Sequence, residues 1–291
     1  MSRRVFTGIV LVLAVLLSAP AAVAICNPNV VKTLEAGPHL ARSVGMLAGA
    51  TAPGDADIGL GQYSVRWFGH SSFAIRSGTG TRVVADPNFD VTPGITADAV
   101  TVSNDHYTHN NVEAVRGEPL VLRGITLDQR WQPVRRKVKD IVVVNLPSAR
   151  SYDFSRIANS IFVFEMGSLC LAHLGNIGHL LTEKQVKLLR RVDVMMVPID
   201  ARNNLGFGDL VKVVEQVKPP IVLPMHYDNP YQAEYFASHI NGRYPVRPQA
   251  DSRLVLTRKM LPKSTELFIL PHPNPYAVRR RWWGGSDDDD R

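Results

Sequence analysis

Six of the nine histidines stand at or just after the ends of short apolar runs. His70 closes Trp67-Phe68-Gly69-His70, and His106 and His109 lie in Asn104-Asp105-His106-Tyr107-Thr108-His109. His173 and His179 flank Leu174-Gly175-Asn176-Ile177-Gly178, and His226 follows Ile221–Met225. Imidazole nitrogen does two kinds of chemistry near neutral pH, metal ligation and proton transfer. Turns at one edge of a sheet are where such side chains are brought together. Several His at separate strand ends, two of them close in sequence, therefore predict a shared metal or acid–base site. His39, His239 and His272 lack that setting and read as surface or structural residues.

The elements that must position these residues are mostly strands. Apolar, β-branched runs bounded by Gly, Pro, Asn or Asp recur at Tyr63–Phe68, Ser72–Arg76, Arg82–Ala85, Ala99–Ser103 and Pro119–Leu122. They continue at Ile141–Leu146, Ser160–Phe164, Leu169–His173, Val192–Val197 and Ile221–Met225. Helical patterns cover Thr182–Arg191, opened by a Thr182/Gln185 capping box, then Gly208–Val217 and Tyr231–Ile240. A strand-rich first half and an alternating second half predict an α/β domain with two sheets packed together and helices outside.

The chain has 291 residues, 45% hydrophobic and 20% charged, the balance of a globular protein. Arg3 and Arg4 precede the apolar run Val5–Leu17, and Ala22 and Ala24 supply small residues for a cut after Ala24. This is the pattern of a secretory signal peptide, the run being short for the alternative of an uncleaved membrane anchor, and it predicts a periplasmic or secreted protein with no membrane span after cleavage. Ile25 before Cys26 argues against lipidation. The expected organisation is a signal peptide (1–24), an N-terminal extension (25–61), a single domain (62–272) and a flexible C-terminal tail (273–291). Cys26 and Cys170 are the only cysteines, and export permits a disulfide between them; Cys170, among Leu169, Leu171 and Ala172, reads instead as a buried inert thiol. Lys+Arg 33 against Asp+Glu 26 gives +7, which falls to +5 without Arg3 and Arg4. Arg279–Arg281 oppose Asp287–Asp290 in the tail, so the remaining charge reads as diffuse. The basic stretches Arg130–Lys139 and Lys184–Arg191 read as solvated faces, and export makes nucleic acid an unlikely partner.

Four stretches together resemble the metallo-β-lactamase-fold hydrolases, in the branch of zinc-dependent hydrolases and ascorbate-phosphate lactonases. They are Trp67–Phe73, Ala85-Asp86-Pro87, Ser103–Asn111, and His173–His179 leading on to Pro224-Met225-His226-Tyr227. The resemblance implies a four-layer αβ/βα sandwich with its site at one edge of the two sheets. It also implies two zinc ions held by His and carboxylate, with a hydroxide attacking the scissile bond. Residue by residue, His106 and His109 match the second and last His of the family's His-x-His-x-Asp-His motif, and His226 matches the final ligand.

The departures carry as much information as the matches. Asn104 stands where the first His belongs, Thr108 replaces the ligand Asp, and Asn176 replaces the bridging Asp. No His occurs in 147–153, where Asp153 is the one good ligand type. Even unit charges ~4 Å apart repel by about 4 kcal/mol at an effective dielectric of ~20, and dications by several times more. Without the two carboxylates an ordinary dinuclear site is not expected. The expectation is one zinc ion on His106, His109 and His226, with iron, manganese or no metal left open. Asp105 or His179 would carry protons, and His70, Asn104, Thr108, Asp153, His173 and Asn176 would line the pocket. The function expected is an exported hydrolase of an ester, lactone or amide type bond in a small molecule. The alternative is a non-catalytic member that uses the pocket to bind a ligand or partner.

Overall fold

The computed structural model describes Cys26 and residues 58–88, 94–151, 158–201, 204–240 and 242–273. The expected signal peptide, residues 25 and 27–57 of the extension and the tail beyond 273 lie outside them, as does Asp153.

The first sheet contains β1 (Tyr63–Trp67), β2 (Phe73–Ser77), β3 (Arg82–Ala85), β4 (Ala99–Val102), β5 (Leu120–Arg123) and β13 (Arg253–Leu256). Its order is β13-β1-β2-β3-β4-β5. The pairs β1/β2 and β2/β3 are antiparallel, whereas β3/β4 and β4/β5 are parallel. The second sheet contains β6 (Arg135–Val138), β7 (Ile141–Ser148), β8 (Asn159–Met166), β9 (Leu169–His173), β10 (Val194–Pro198), β11 (Ile221–Met225), β12 (Val246–Pro248) and β14 (Glu266–Ile269). Its order is β12-β14-β11-β10-β9-β8-β7-β6. Helices α1 (Glu183–Leu189), α2 (Phe207–Val217) and α3 (Pro230–Ile240) connect and follow the parallel strands β9, β10 and β11.

Residue alternation explains how the sheets stack. Val65, Trp67, Phe73, Ile75 and Val83 point into one large core with Phe162, Phe164, Leu171, Met196 and Leu223 of the other sheet. Their neighbours Ala74, Val84, Val100 and Val102 turn to the opposite face and pack with Ile95 and Val115. A period of two thus supplies both faces of the first sheet. In α2 the buried residues are Leu210, Val213, Val214 and Val217, spaced for one helical face. The two-sheet α/β sandwich expected from the sequence is present as one domain.

Two differences from the sequence reading have clear causes. Strands β7 and β8 run further than their apolar cores, to Ser148 and back to Asn159. Their polar residues stay in the ladder because they find partners: the Asn145 amide donates to Gln132 O at 2.8 Å, and its carbonyl accepts from Val134 N at 2.7 Å. Strand β6 was hidden by its cations Arg135, Arg136 and Lys137, which suit an exposed edge strand.

Cys170 is not a free thiol. It is joined to Cys26 by a disulfide with Cα atoms 5.7 Å apart, within the span a bridge needs. Cys170 is buried as its apolar neighbours suggest, and what they could not reveal is the approach of Cys26 from 144 residues away. Asp193 supports the same strand, accepting from Cys170 N at 2.9 Å and pairing with Arg258. The bridge spans 144 residues, so replacing both cysteines by Ser should cost roughly 2–4 kcal/mol of unfolding free energy. Urea unfolding with and without reductant measures this; an unchanged midpoint would show that the bridge adds no stability.

Candidate metal centre

Strand ends from both sheets converge at one edge. His70 follows β1, Asp86 follows β3, Ser103 to His109 follow β4, Asp200 follows β10 and His226 follows β11. The two sheets are tied there by His226 N–H, which donates to His70 O at 2.8 Å. The same carbonyl accepts from the Trp67 indole at 2.9 Å. His70, Asp86, Ala201 and His226 all have left-handed backbone, with φ of 46°, 45°, 55° and 63°. Non-glycine residues rarely adopt that region, and its cost is tolerated where the surroundings over-determine the turn.

The hydrogen bonds decide which ring nitrogens are available. His109 Nδ1 lies 2.6 Å from the Asp86 carboxylate and His226 Nδ1 lies 3.1 Å from that of Asp200. An ionised carboxylate only accepts, so in both rings Nδ1–H donates and Nε2 carries a lone pair. Those two Nε2 atoms face each other at 3.2 Å. Two lone pairs at that distance repel unless a cation or a proton lies between them. Tetrahedral zinc ligands at ~2.0–2.1 Å would be about 3.3 Å apart, close to what is seen. One nitrogen of His70 completes the group, all three ligand atoms lying within 4.8 Å of one another. The His70 ring is held by the Ser71 hydroxyl at 3.0 Å from Nδ1. These residues fit a metal ion.

Asp86 has no solvent exposure. Burial alone would raise its pKa, but His173 and His109 and the Ser103 hydroxyl hold it below the usual carboxylate range. It accepts from Ser103 N at 2.7 Å and from Ser103 Oγ as well as from His109. Burial pushes the His109 imidazole down to about 4 against the pull of Asp86, so at neutral pH it is an unprotonated ligand type.

The other expected site residues are placed differently. His106 is outside the three-histidine group; its Nδ1 pairs with Thr108 Oγ1 at 2.8 Å and its ring lies against Tyr107. Asn104 is absorbed in a local turn, donating to Ser103 Oγ at 3.0 Å and accepting from His106 N at 3.1 Å. His173 Nε2–H donates to Ser71 O at 2.8 Å while its Nδ1 accepts from Gly175 N at 3.2 Å, so both nitrogens are committed to the protein. His179 Nδ1–H donates to Leu180 O at 2.7 Å, and Nε2 accepts from Ser148 Oγ at 3.0 Å. Asp105 is exposed and accepts from the Asn110 amide at 3.1 Å. Asn176 is buried, and its Oδ1 has no hydrogen-bond partner among the described residues.

The loop carrying Asn176 and His179 is pressed onto its neighbours. A Cβ on Gly175, whose φ is +57°, would sit 2.3 Å from Asn159 Oδ1, and one on Gly178 would sit 1.9 Å from Arg150 O. Only glycine allows that approach. The sequence reading put His70 in the pocket without making it a ligand and did not single out Asp86 or Asp200 as site residues. Asp200 carries the same mark as the histidines, a polar residue just beyond an apolar strand at the active edge.

Burial lowers the His179 pKa more than its bond to Leu180 raises it. The folded value therefore lies below the unfolded value of about 6.5. Stability linked to His179 is present above pH ~6.5 and is lost as pH falls through the folded pKa. Thermal unfolding followed downward from pH 7 should show this loss, and His179→Gln should flatten the slope. An equal slope in the variant would remove His179 as its source.

The model of the family described as the beta-lactamase superfamily domain matches residues 64–226. A UPF0173 metal-dependent hydrolase from Archaeoglobus fulgidus is 24% identical over 191 residues, covering 56% of this chain and 83% of that protein. One from Salinibacter ruber is 27% identical over 192 residues, with the same shares covered. A Thermotoga maritima structure assigned as a Zn-dependent hydrolase of the metallo-beta-lactamase superfamily superposes with a TM-score of 0.55 at 25% identity. That superposition covers 72% of this chain and 98% of the other. With its sandwich, its convergent strand ends and this match, the chain belongs to the beta-lactamase superfamily.

Proposed function

We propose that this chain is an exported, metal-dependent hydrolase with one metal ion on His70, His109 and His226. The observation that carries this reading is the pair of carboxylate-backed imidazoles aiming Nε2 lone pairs at one point. The relatives named metal-dependent hydrolases support the reaction class. A bound metal would supply a water acidified enough to act as nucleophile near neutral pH on an ester, lactone or amide type bond. The protein's own share is orientation. Asp86 and Asp200 fix the tautomers of His109 and His226, and Ser71 holds His70. Three neutral imidazoles bring no charge to a dication in a buried site, so the two carboxylates behind them also offset it. Of the two expected proton carriers, His179 is engaged on both nitrogens, whereas Asp105 is exposed to solvent.

Zinc is the metal expected for three His nitrogens and an open position. Elemental analysis of the purified full chain should find close to one equivalent. His70→Ala, His109→Ala and His226→Ala should each lose it, while His106→Ala should keep it. Asp200→Asn, which preserves shape, should weaken metal affinity by about 10–100-fold. Metal-free protein whose melting temperature ignores both added zinc and chelator would overturn the hydrolase reading in favour of a non-catalytic binder.

Export is supported by the apolar segment Val5–Leu17 and by the Cys26–Cys170 disulfide, a bond of oxidising compartments. No helix among the described residues is long and apolar enough to cross a membrane. The protein isolated from its source cells should begin at Ile25, and N-terminal sequencing checks it; a start at or near Met1 would sink the cleavage.

A further inference from the structure

One stretch of this protein is strongly cationic. Residues 120–139 hold Arg123, Arg130, Arg135, Arg136, Lys137 and Lys139 against the one carboxylate of Asp128, a balance of +5, and Lys139 pairs with Asp98 from outside the stretch. The whole chain beyond residue 24 also carries +5, so everything outside this stretch sums to zero. The folded chain sets this stretch along one side of the sandwich. Strand β5 is the outer strand of the first sheet and β6 the outer strand of the second. Arg135, Arg136 and Lys137 are all exposed, and no ion pair reaches them among the described residues.

Exposed apolar side chains gather on the same side. Of eight large hydrophobic residues left exposed among the described residues, three are Leu120, Val121 and Leu127. Leu127 is 81% exposed at the tip of a turn closed by Thr126 N–H donating to Arg130 O at 2.8 Å. The Ile125/Trp131 bridge anchors that turn, and Gly124 N–H ties it to Val102 O at 2.9 Å. Because β5 runs parallel to β4, the turn lies at the edge where Ser103 to His109 follow β4.

Cations alone on β6 would be explained by protection of an edge strand. They do not explain aliphatic side chains held in water beside them. A nucleic acid would use the cations but offers nothing to an aliphatic tip, its stacking partners being aromatic. An anionic lipid surface uses both: headgroups attract the cations, and the aliphatic tip leaves water for the acyl boundary. We propose that the β5–β6 side, with Leu127 at its tip, docks this protein onto an anionic phospholipid surface. Docking brings the histidine edge beside the lipid, and it does not rest on the metal reading.

Co-sedimentation of the full chain with vesicles tests this. Phosphatidylcholine vesicles with and without phosphatidylglycerol are compared, and the apolar segment Val5–Leu17 is common to every variant. Wild type should bind the phosphatidylglycerol vesicles at least tenfold more tightly. Each exposed cation contributes about fivefold, so Arg135→Glu/Arg136→Glu/Lys137→Glu should lose about 100-fold or more. Leu127→Asp should lose roughly tenfold or more without changing the melting temperature. Lys184→Glu/Lys187→Glu, on exposed positions of α1, should bind like wild type. Equal binding to both vesicle types would overturn the proposal, as would equal losses in the α1 and β6 variants. Full binding by Leu127→Asp, displaced by heparin or DNA, would assign the surface to a polyanion instead.

Discussion

Asp86 is a carboxylate without solvent contact, and the geometry of the edge follows from what it must do to stay ionised. An unpaired buried charge costs several kcal/mol, so every lone pair that water would have solvated has to be met by the protein. Ser103 meets it from the end of β4 with its amide and hydroxyl, and His109 meets it with Nδ1–H. That single requirement joins the ends of β3 and β4, fixes the tautomer of His109 and points Nε2 away from the core. A left-handed turn at Asp86 is the backbone's share of the arrangement.

The second sheet repeats the device with a different residue. Asp200, beyond β10, holds His226 Nδ1 much as Asp86 holds His109. The direct bond from His226 N to His70 O then locks the two sheets in register at the edge. The chain lacks carboxylates at the two positions where the family resemblance would put metal ligands, Thr108 and Asn176. It keeps two carboxylates, Asp86 and Asp200, behind the imidazoles of His109 and His226. Local hydrogen bonds absorb Asn104 and Thr108, so these replacements build the loop rather than leave gaps in it.

Some of this could be read in the chain before any coordinates. Short β-branched runs predicted most strands because both faces of a buried sheet must be apolar, and the Thr182/Gln185 capping box opened α1 as expected. His109 and His226 could be singled out because both sit just past strand ends. His70 as a third nitrogen donor could not, since its approach to His109 and His226 depends on the packing of one sheet against the other. The same holds for Asp200: it too follows an apolar strand, but its pairing with His226 depends on how β10 and β11 lie side by side. Polar strand extensions such as Ser148 and Asn159, and the cationic β6, were unreadable because their stability comes from neighbouring strands.

What the sequence determined by itself was local and compositional: which runs are strands, where turns interrupt them, which side chains can bind a metal, and a net charge of +7. Side-chain period and backbone preference act over a few residues, so they are written in order along the chain. The tertiary structure alone decided which three histidines meet, which carboxylates stand behind them, and that Cys26 reaches Cys170. These are contacts between residues tens to more than a hundred positions apart. Their geometry is set by sheet packing, and no spacing in the sequence encodes it.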